Sequence, residues 1–118
     1  LNRLRVCGMD EYKLVVKPRV YRNIFKAYNY IKEKFGNPQA AERRYFTIMD
    51  GIKSLSVDPY RVRLIESEPW NSLGYRRFLA SNYYIVFKID EERKTVYVFD
   101  LIFARSDFDA RLHRLGRK

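Results

Sequence analysis

Gly74-Tyr-Arg-Arg-Phe-Leu-Ala-Ser-Asn-Tyr-Tyr-Ile-Val-Phe-Lys-Ile-Asp-Glu-Glu-Arg-Lys-Thr-Val-Tyr-Val-Phe-Asp-Leu-Ile-Phe-Ala-Arg105-Ser-Asp107 holds three strand-like runs in succession and ends just past an arginine. Ser81-Asn82 and the stretch from Asp90 to Lys94 supply two short turns between runs rich in Tyr, Phe, Val and Ile. That is the pattern of an antiparallel meander. Arginines on the first run and just past the last place cations among aromatics. Such a sheet suits an acidic partner or a phosphate backbone.

Upstream of the meander the period changes. Residues 12–17 alternate and are β-prone, and Pro18 ends that strand while fitting the first turn of a helix. Val20, Ile24, Ala27, Ile31 and Phe35 then recur every three or four residues, which predicts one apolar helical stripe closed by Gly36. Asn37-Pro38 reads as an N-cap with proline at the first helical position, and Ala41, Tyr45, Ile48, Ile52 and Leu55 make a second stripe. The two helices therefore form a hairpin, closed at Asp58-Pro59. Residues 60–73 show no sustained period and read as a loop, with Trp70 folded back on the core and Arg61 and Arg63 solvated. Past the last strand, Ser106-Asp-Phe-Asp109 fits a capping pattern and predicts a short basic helix to about Leu115.

Composition bounds the function. The 118 residues suffice for one domain, and a 47% hydrophobic content supports a real core. Residues 1–11 read as an N-terminal extension outside that core, and residues 12–118 as a single domain. A formal charge of +10 points to a polyanion or an acidic protein as partner. The single Cys7 excludes an intramolecular disulfide, and the single His113 offers no cluster for a zinc site, so neither metal nor cofactor is expected. No apolar run approaches the roughly 20 residues that span a bilayer. The chain reads as cytoplasmic.

The order strand, helix, helix, three strands, short helix defines an α+β fold, with the helical hairpin packed on a small, mainly antiparallel sheet. Tyr12-Lys-Leu-Val-Val, Tyr30-Ile-Lys with Asn37-Pro-Gln-Ala-Ala41, Ile52-Lys-Ser-Leu55 before Pro59, Gly74-Tyr-Arg-Arg77, Asn82-Tyr-Tyr-Ile-Val-Phe87 and Ala104-Arg-Ser-Asp107 occur in that order. With this series the chain resembles the RelE/ParE superfamily of toxins from bacterial and archaeal toxin-antitoxin modules, over about residues 12–112. The resemblance implies a β-α-α-β-β-β(-α) fold and a growth-arresting toxin masked by a cognate antitoxin encoded nearby. It implies one of two targets. RelE-like members cut mRNA in the ribosomal A site without metal, whereas ParE-like members inhibit DNA gyrase and have no accepted nuclease chemistry.

For RNA cleavage the 2′-hydroxyl loses a proton, the phosphorane is stabilised and the leaving oxygen gains a proton. By resemblance, Arg77 falls where a sheet lysine is expected and Arg105 at the arginine ending the last strand, so the two are expected to clamp a phosphate. Tyr84 occupies the position of a catalytic arginine, and Arg111 lies nearest that of a C-terminal tyrosine. Both are departures from the pattern. Arginine stabilises charge but is a poor proton shuttle, so Tyr83, Tyr84 or His113 would have to supply acid and base. Catalytic candidates are thus Arg77, Arg105 and Tyr84, and target-binding candidates Arg76, Tyr83, Arg111 and His113.

Each residue also has a packing role open to it. Arg76 and Arg77 are adjacent on a strand and face opposite sides, and Tyr83 and Tyr84 fit ordinary sheet packing. A third function remains open, a basic nucleic-acid-binding module without toxicity, and so does a homodimer in the antitoxin's absence.

Overall fold

The computed structural model describes residues 11–105 and 111. Strand β1 (Lys13–Val16) leads into helix α1 (Pro18–Phe35), helix α2 (Pro38–Ser54) follows, and a 3-10 turn at Pro59–Arg61 precedes the short helix α3 (Trp70–Leu73). Strands β2 (Arg76–Ala80), β3 (Tyr83–Asp90) and β4 (Thr95–Phe103) complete the element order. The short C-terminal helix expected from the sequence lies outside the described residues apart from Arg111, which is helical and exposed.

Local chemistry sets the boundaries. Pro18 opens α1, and Gly36 closes it in the left-handed conformation at φ 58°, where a side chain would be strained. Asn37 accepts a hydrogen bond from the Ala40 amide at 3.1 Å and so caps α2. This helix ends at Ser54, ahead of the expected Asp58-Pro59 stop. There the Arg61 guanidinium donates to the carbonyls of Ser54, Val57 and Asp58 at 3.3, 2.9 and 3.1 Å. Arg61 thus helps to cap the end of α2, after the backbone cap at Leu55, and is not merely a solvated loop residue. Ser81 and Asn82 both take positive φ, as a two-residue hairpin between right-twisted strands requires.

The sheet order is β1-β4-β3-β2, with β1 parallel to β4 and the other pairs antiparallel. The first strand therefore lies beside the last, and β2 forms one edge. Against one face the hairpin packs Val20, Ile24, Ile48, Ile52 and Leu55 onto Ile85, Phe87, Val96, Val98 and Leu101. Gly51 permits this approach, since a Cβ there would sit 3.2 Å from both Ala80 Cβ and Ile85 Cδ1.

A second, smaller core forms from Ile65, Trp70, Val86 and Ile102, with Tyr75 and Phe99 packed on it. Val86 and Ile102 alternate with the hairpin-facing Ile85 and Leu101, so this cluster covers the other side of the sheet. Residues 60–73 are therefore a folded layer and not a plain loop. Trp70 is only 3% exposed. The stripes need one correction each, because Phe35 and Tyr45 are 64% and 38% exposed. Phe35 sits at the hairpin tip and packs edge-on to Tyr30, while Tyr45 meets Tyr28 and Phe46 on the hairpin's outer side. Among the described residues no helix is long and apolar enough to cross a membrane.

Candidate functional site

Alternation along β2 separates its two arginines. Arg76 donates to the Val62 carbonyl and lies over the Tyr60 ring at 5.1 Å, so it ties the segment after α2 to the sheet edge. Arg77 is exposed and stacks over the Tyr84 ring at 4.3 Å. The register pairs Arg77 with Val86 and Leu79 with Tyr84, which makes Arg77 and Tyr84 diagonal neighbours on one face. A guanidinium over an aromatic face gains cation–π attraction and a fixed orientation. The cations Lys88, over Tyr75 at 5.1 Å, and Lys17, over Phe99 at 5.6 Å, repeat the arrangement.

Tyr83 lies on the hairpin side, tilted against Phe103 with ring centroids 5.3 Å apart. Burial pushes its hydroxyl above the usual phenol range. Tyr83 and Tyr84 therefore do not converge. Arg105 is exposed in the turn after β4, near the β2–β3 turn, where the Ala104 amide donates to the Asn82 carbonyl at 2.9 Å. Asp100, paired through Val86 with the level of Arg77, lies five positions before Arg105, which stands in the turn beyond the end of β4 at Phe103. A phosphate held by both arginines would need both side chains extended toward each other. His113 lies outside the described residues.

Three features were not read from the sequence. Asp100 is buried at the β4 bulge, accepts from Asn23 Nδ2 at 3.0 Å and lies 3.6 Å from Arg19. Burial, opposed by the Leu101 amide and by the charges of Arg19 and Arg111, raises its pKa. The signal was visible as a lone carboxylate within Val98-Phe-Asp-Leu-Ile102. At the opposite end of the sheet, Tyr12 and Tyr60 donate to Glu91 Oε1 at 2.8 and 3.0 Å and Lys94 donates to Oε2. These contacts hold Glu91 at about 2, well below the usual range.

The third is a groove of about 620 Å³ on the outside of the hairpin, lined by Tyr21, Ile24, Phe25, Tyr28, Tyr45 and Phe46 with Glu42 at its border. Phe25 and Phe46 are 65% and 58% exposed there. Large aromatics left open to water on a helical face mark a contact surface.

A two-helix hairpin on a four-stranded, mostly antiparallel sheet with its first strand parallel to its last is the α+β RelE/ParE-like fold. Residues 14–108 match the family described as the ParE toxin of the type II toxin-antitoxin system parDE. The chain belongs to the ParE toxin family of type II toxin-antitoxin systems. Its fold is similar to that in the chromosomal ParDE toxin-antitoxin system from P. aeruginosa, with a TM-score of 0.65 and 15% identity over 80% of this chain and 98% of that one. It is also similar to the RelBE2 toxin-antitoxin complex from Mycobacterium tuberculosis, with a TM-score of 0.57 and 18% identity over 81% of this chain and 94% of the other. No curated protein matches the chain.

Proposed function

We propose that this ParE-family toxin arrests growth by seizing a protein target, DNA gyrase, and that it does not cut RNA. The observation that carries this reading is the aromatic groove on the hairpin. Phe25 and Phe46 offer anchors of the kind that dominate protein interfaces.

The sheet supports the same reading by how it places its candidates. Tyr83 packs on the hairpin side, where burial raises its hydroxyl, and does not share a face with Arg77. Arg77 and Arg105 stabilise charge without moving protons.

The antitoxin follows from complementarity. A chain of charge +10 with an aromatic groove fits an acidic amphipathic segment that folds as it binds. Solved relatives are toxin-antitoxin assemblies. In this reading, antitoxin and gyrase compete for the toxin.

A second reading, ribosome-dependent mRNA cleavage, draws on the Arg77–Tyr84 pair, which sets a cation and a phenol side by side on one sheet face. One pair of variants separates the two. Phe25→Asp abolishes growth arrest while Arg77→Ala leaves it, measured as colony formation after induced expression with protein levels matched. Loss of arrest in Arg77→Ala alone would favour cleavage.

A further inference from the structure

We propose that the outer face of the helical hairpin is a self-association surface, on which a second copy of this chain seats in two-fold symmetry so that the two hairpins form a four-helix arrangement. This takes from the proposed function only the groove as a contact surface and does not depend on gyrase as the target. Tyr21, Phe25 and Phe46 are exposed there. The rings around them already brace one another, since Tyr45 meets Tyr28 with centroids 6.4 Å apart and Phe46 with centroids 5.2 Å apart. A patch set in advance loses little side-chain freedom when it is covered.

The charges flanking these rings point to the occupant. Helical spacing puts the exposed Arg22, Phe25 and Lys32 along the outward side of α1, and the exposed Glu42, Phe46 and Asp50 along that of α2. Each stripe has a ring at its middle and a charge to either side, basic on α1 and acidic on α2. Among the described residues none of these four charges makes an ion pair within its own chain. The Tyr28–Tyr45 contact sets how the two antiparallel helices lie level. Counted from it, Lys32 stands level with Ala41, beside Glu42, and Arg22 with Gly51, beside Asp50.

A two-fold axis running along the hairpin lays the α1 of each copy over the α2 of the other, antiparallel and at unchanged level. Lys32 then faces Glu42 of the second copy and Arg22 faces its Asp50, with Phe25 and Phe46 between them. The same counting sets Lys26 and Arg43 level with Thr47 and Tyr30, so neither meets a like charge. A segment of one charge matches only one of the two stripes, whereas a second copy matches both. The pair covers Phe25 and Phe46, so dilution or a competing partner has to part it before the face is used.

Sedimentation velocity of the full chain over a concentration series tests the pairing, and a monomer–dimer equilibrium is expected. Lys32→Glu and Glu42→Lys are each expected to raise the dimer dissociation constant about tenfold, because each sets like charges against one another at both symmetric contacts, while circular dichroism shows the fold kept. An equimolar mixture of the two variants is expected to recover the dimer, since the mixed pair restores opposite charges at both contacts. Arg63→Glu makes the same change in net charge at an exposed position between α2 and α3 and is expected not to weaken the dimer. Equal weakening by Arg63→Glu, or a mixture that fails to recover, would place the contact elsewhere and overturn the proposal. A chain that stays monomeric at every soluble concentration would also overturn it, and would leave the face to antitoxin and target with the proposed function untouched.

Discussion

The two faces of the sheet are finished in different ways. One is sealed by a helical hairpin whose Val20, Ile24, Ile48, Ile52 and Leu55 meet a continuous apolar surface. On the other, among the described residues, Trp70 and Ile65 pack over Val86 and Ile102, and the rings of Phe99, Tyr84 and Tyr75 carry cations. Apolar burial stabilises in proportion to area, so the hairpin side carries most of the fold's stability. The other side carries the cation–aromatic pairs Arg77–Tyr84, Lys88–Tyr75 and Lys17–Phe99.

Side-chain truncations on the two faces sharpen this contrast. Phe87→Ala, at a fully buried position under the hairpin, is expected to cost about 4 kcal/mol and to abolish cooperative unfolding at ordinary temperature in a calorimetric scan. Trp70→Ala is expected to cost less, about 3 kcal/mol, and to leave the amides of α1 and α2 protected in hydrogen exchange. A larger loss for Trp70→Ala than for Phe87→Ala would break the comparison.

Adjacent arginines test it at finer scale. Arg76→Ala leaves the Val62 carbonyl without its guanidinium donor and is expected to lower stability by about 1–2 kcal/mol. Arg77→Ala, on an exposed side chain, is expected to stay within about 0.5 kcal/mol of the parent in urea unfolding. Reversed magnitudes would exchange the roles assigned to the two positions.

The smallest effects are set by two carboxylates of opposite sign. Glu91 is lowered from 4.5 to about 2 by hydrogen bonds from Lys94, Tyr12 and Tyr60. Its stabilisation is complete above 4.5 and is lost as pH falls toward about 2. Asp100 is raised above 3.8, chiefly by burial, so its contribution is complete below 3.8 and is lost as pH rises through the folded value. Glu91→Gln should flatten the acid-side fall in Tm, and Asp100→Asn should steepen it. Identical slopes for parent and Glu91→Gln would remove Glu91 from the account.

Much of this was legible in the chain. The three-and-four spacing from Val20 to Leu55 marks the hairpin, Asn37-Pro38 marks the start of its second helix, and Ser81-Asn82 marks a turn that needs positive φ. What was not legible depends on neighbours. Periodicity assigns faces but cannot reveal where the sheet stops, so Phe35 and Tyr45 were placed in the core although they emerge beyond it. Residues 60–73 have no period because a thin layer anchored by Ile65 and Trp70 requires none.

Site residues divide along the same line. Strand alternation puts Arg76 and Arg77 on opposite sides, yet only the edge position of β2 and the segment beside it decide which arginine is tied down. The cap supplied by Arg61 could not be read because it depends on α2 ending at Ser54. The exposed groove on the hairpin arises from residues such as Phe25 and Phe46, which lie off both stripes.

Induced expression in cells carrying a reporter plasmid, with supercoiling and mRNA integrity measured together, decides between gyrase inhibition and mRNA cleavage. Gyrase inhibition gives growth arrest with loss of negative supercoiling and intact mRNA. Growth arrest with A-site mRNA cuts and normal supercoiling would contradict it and would return the function to the Arg77–Tyr84 face of the sheet.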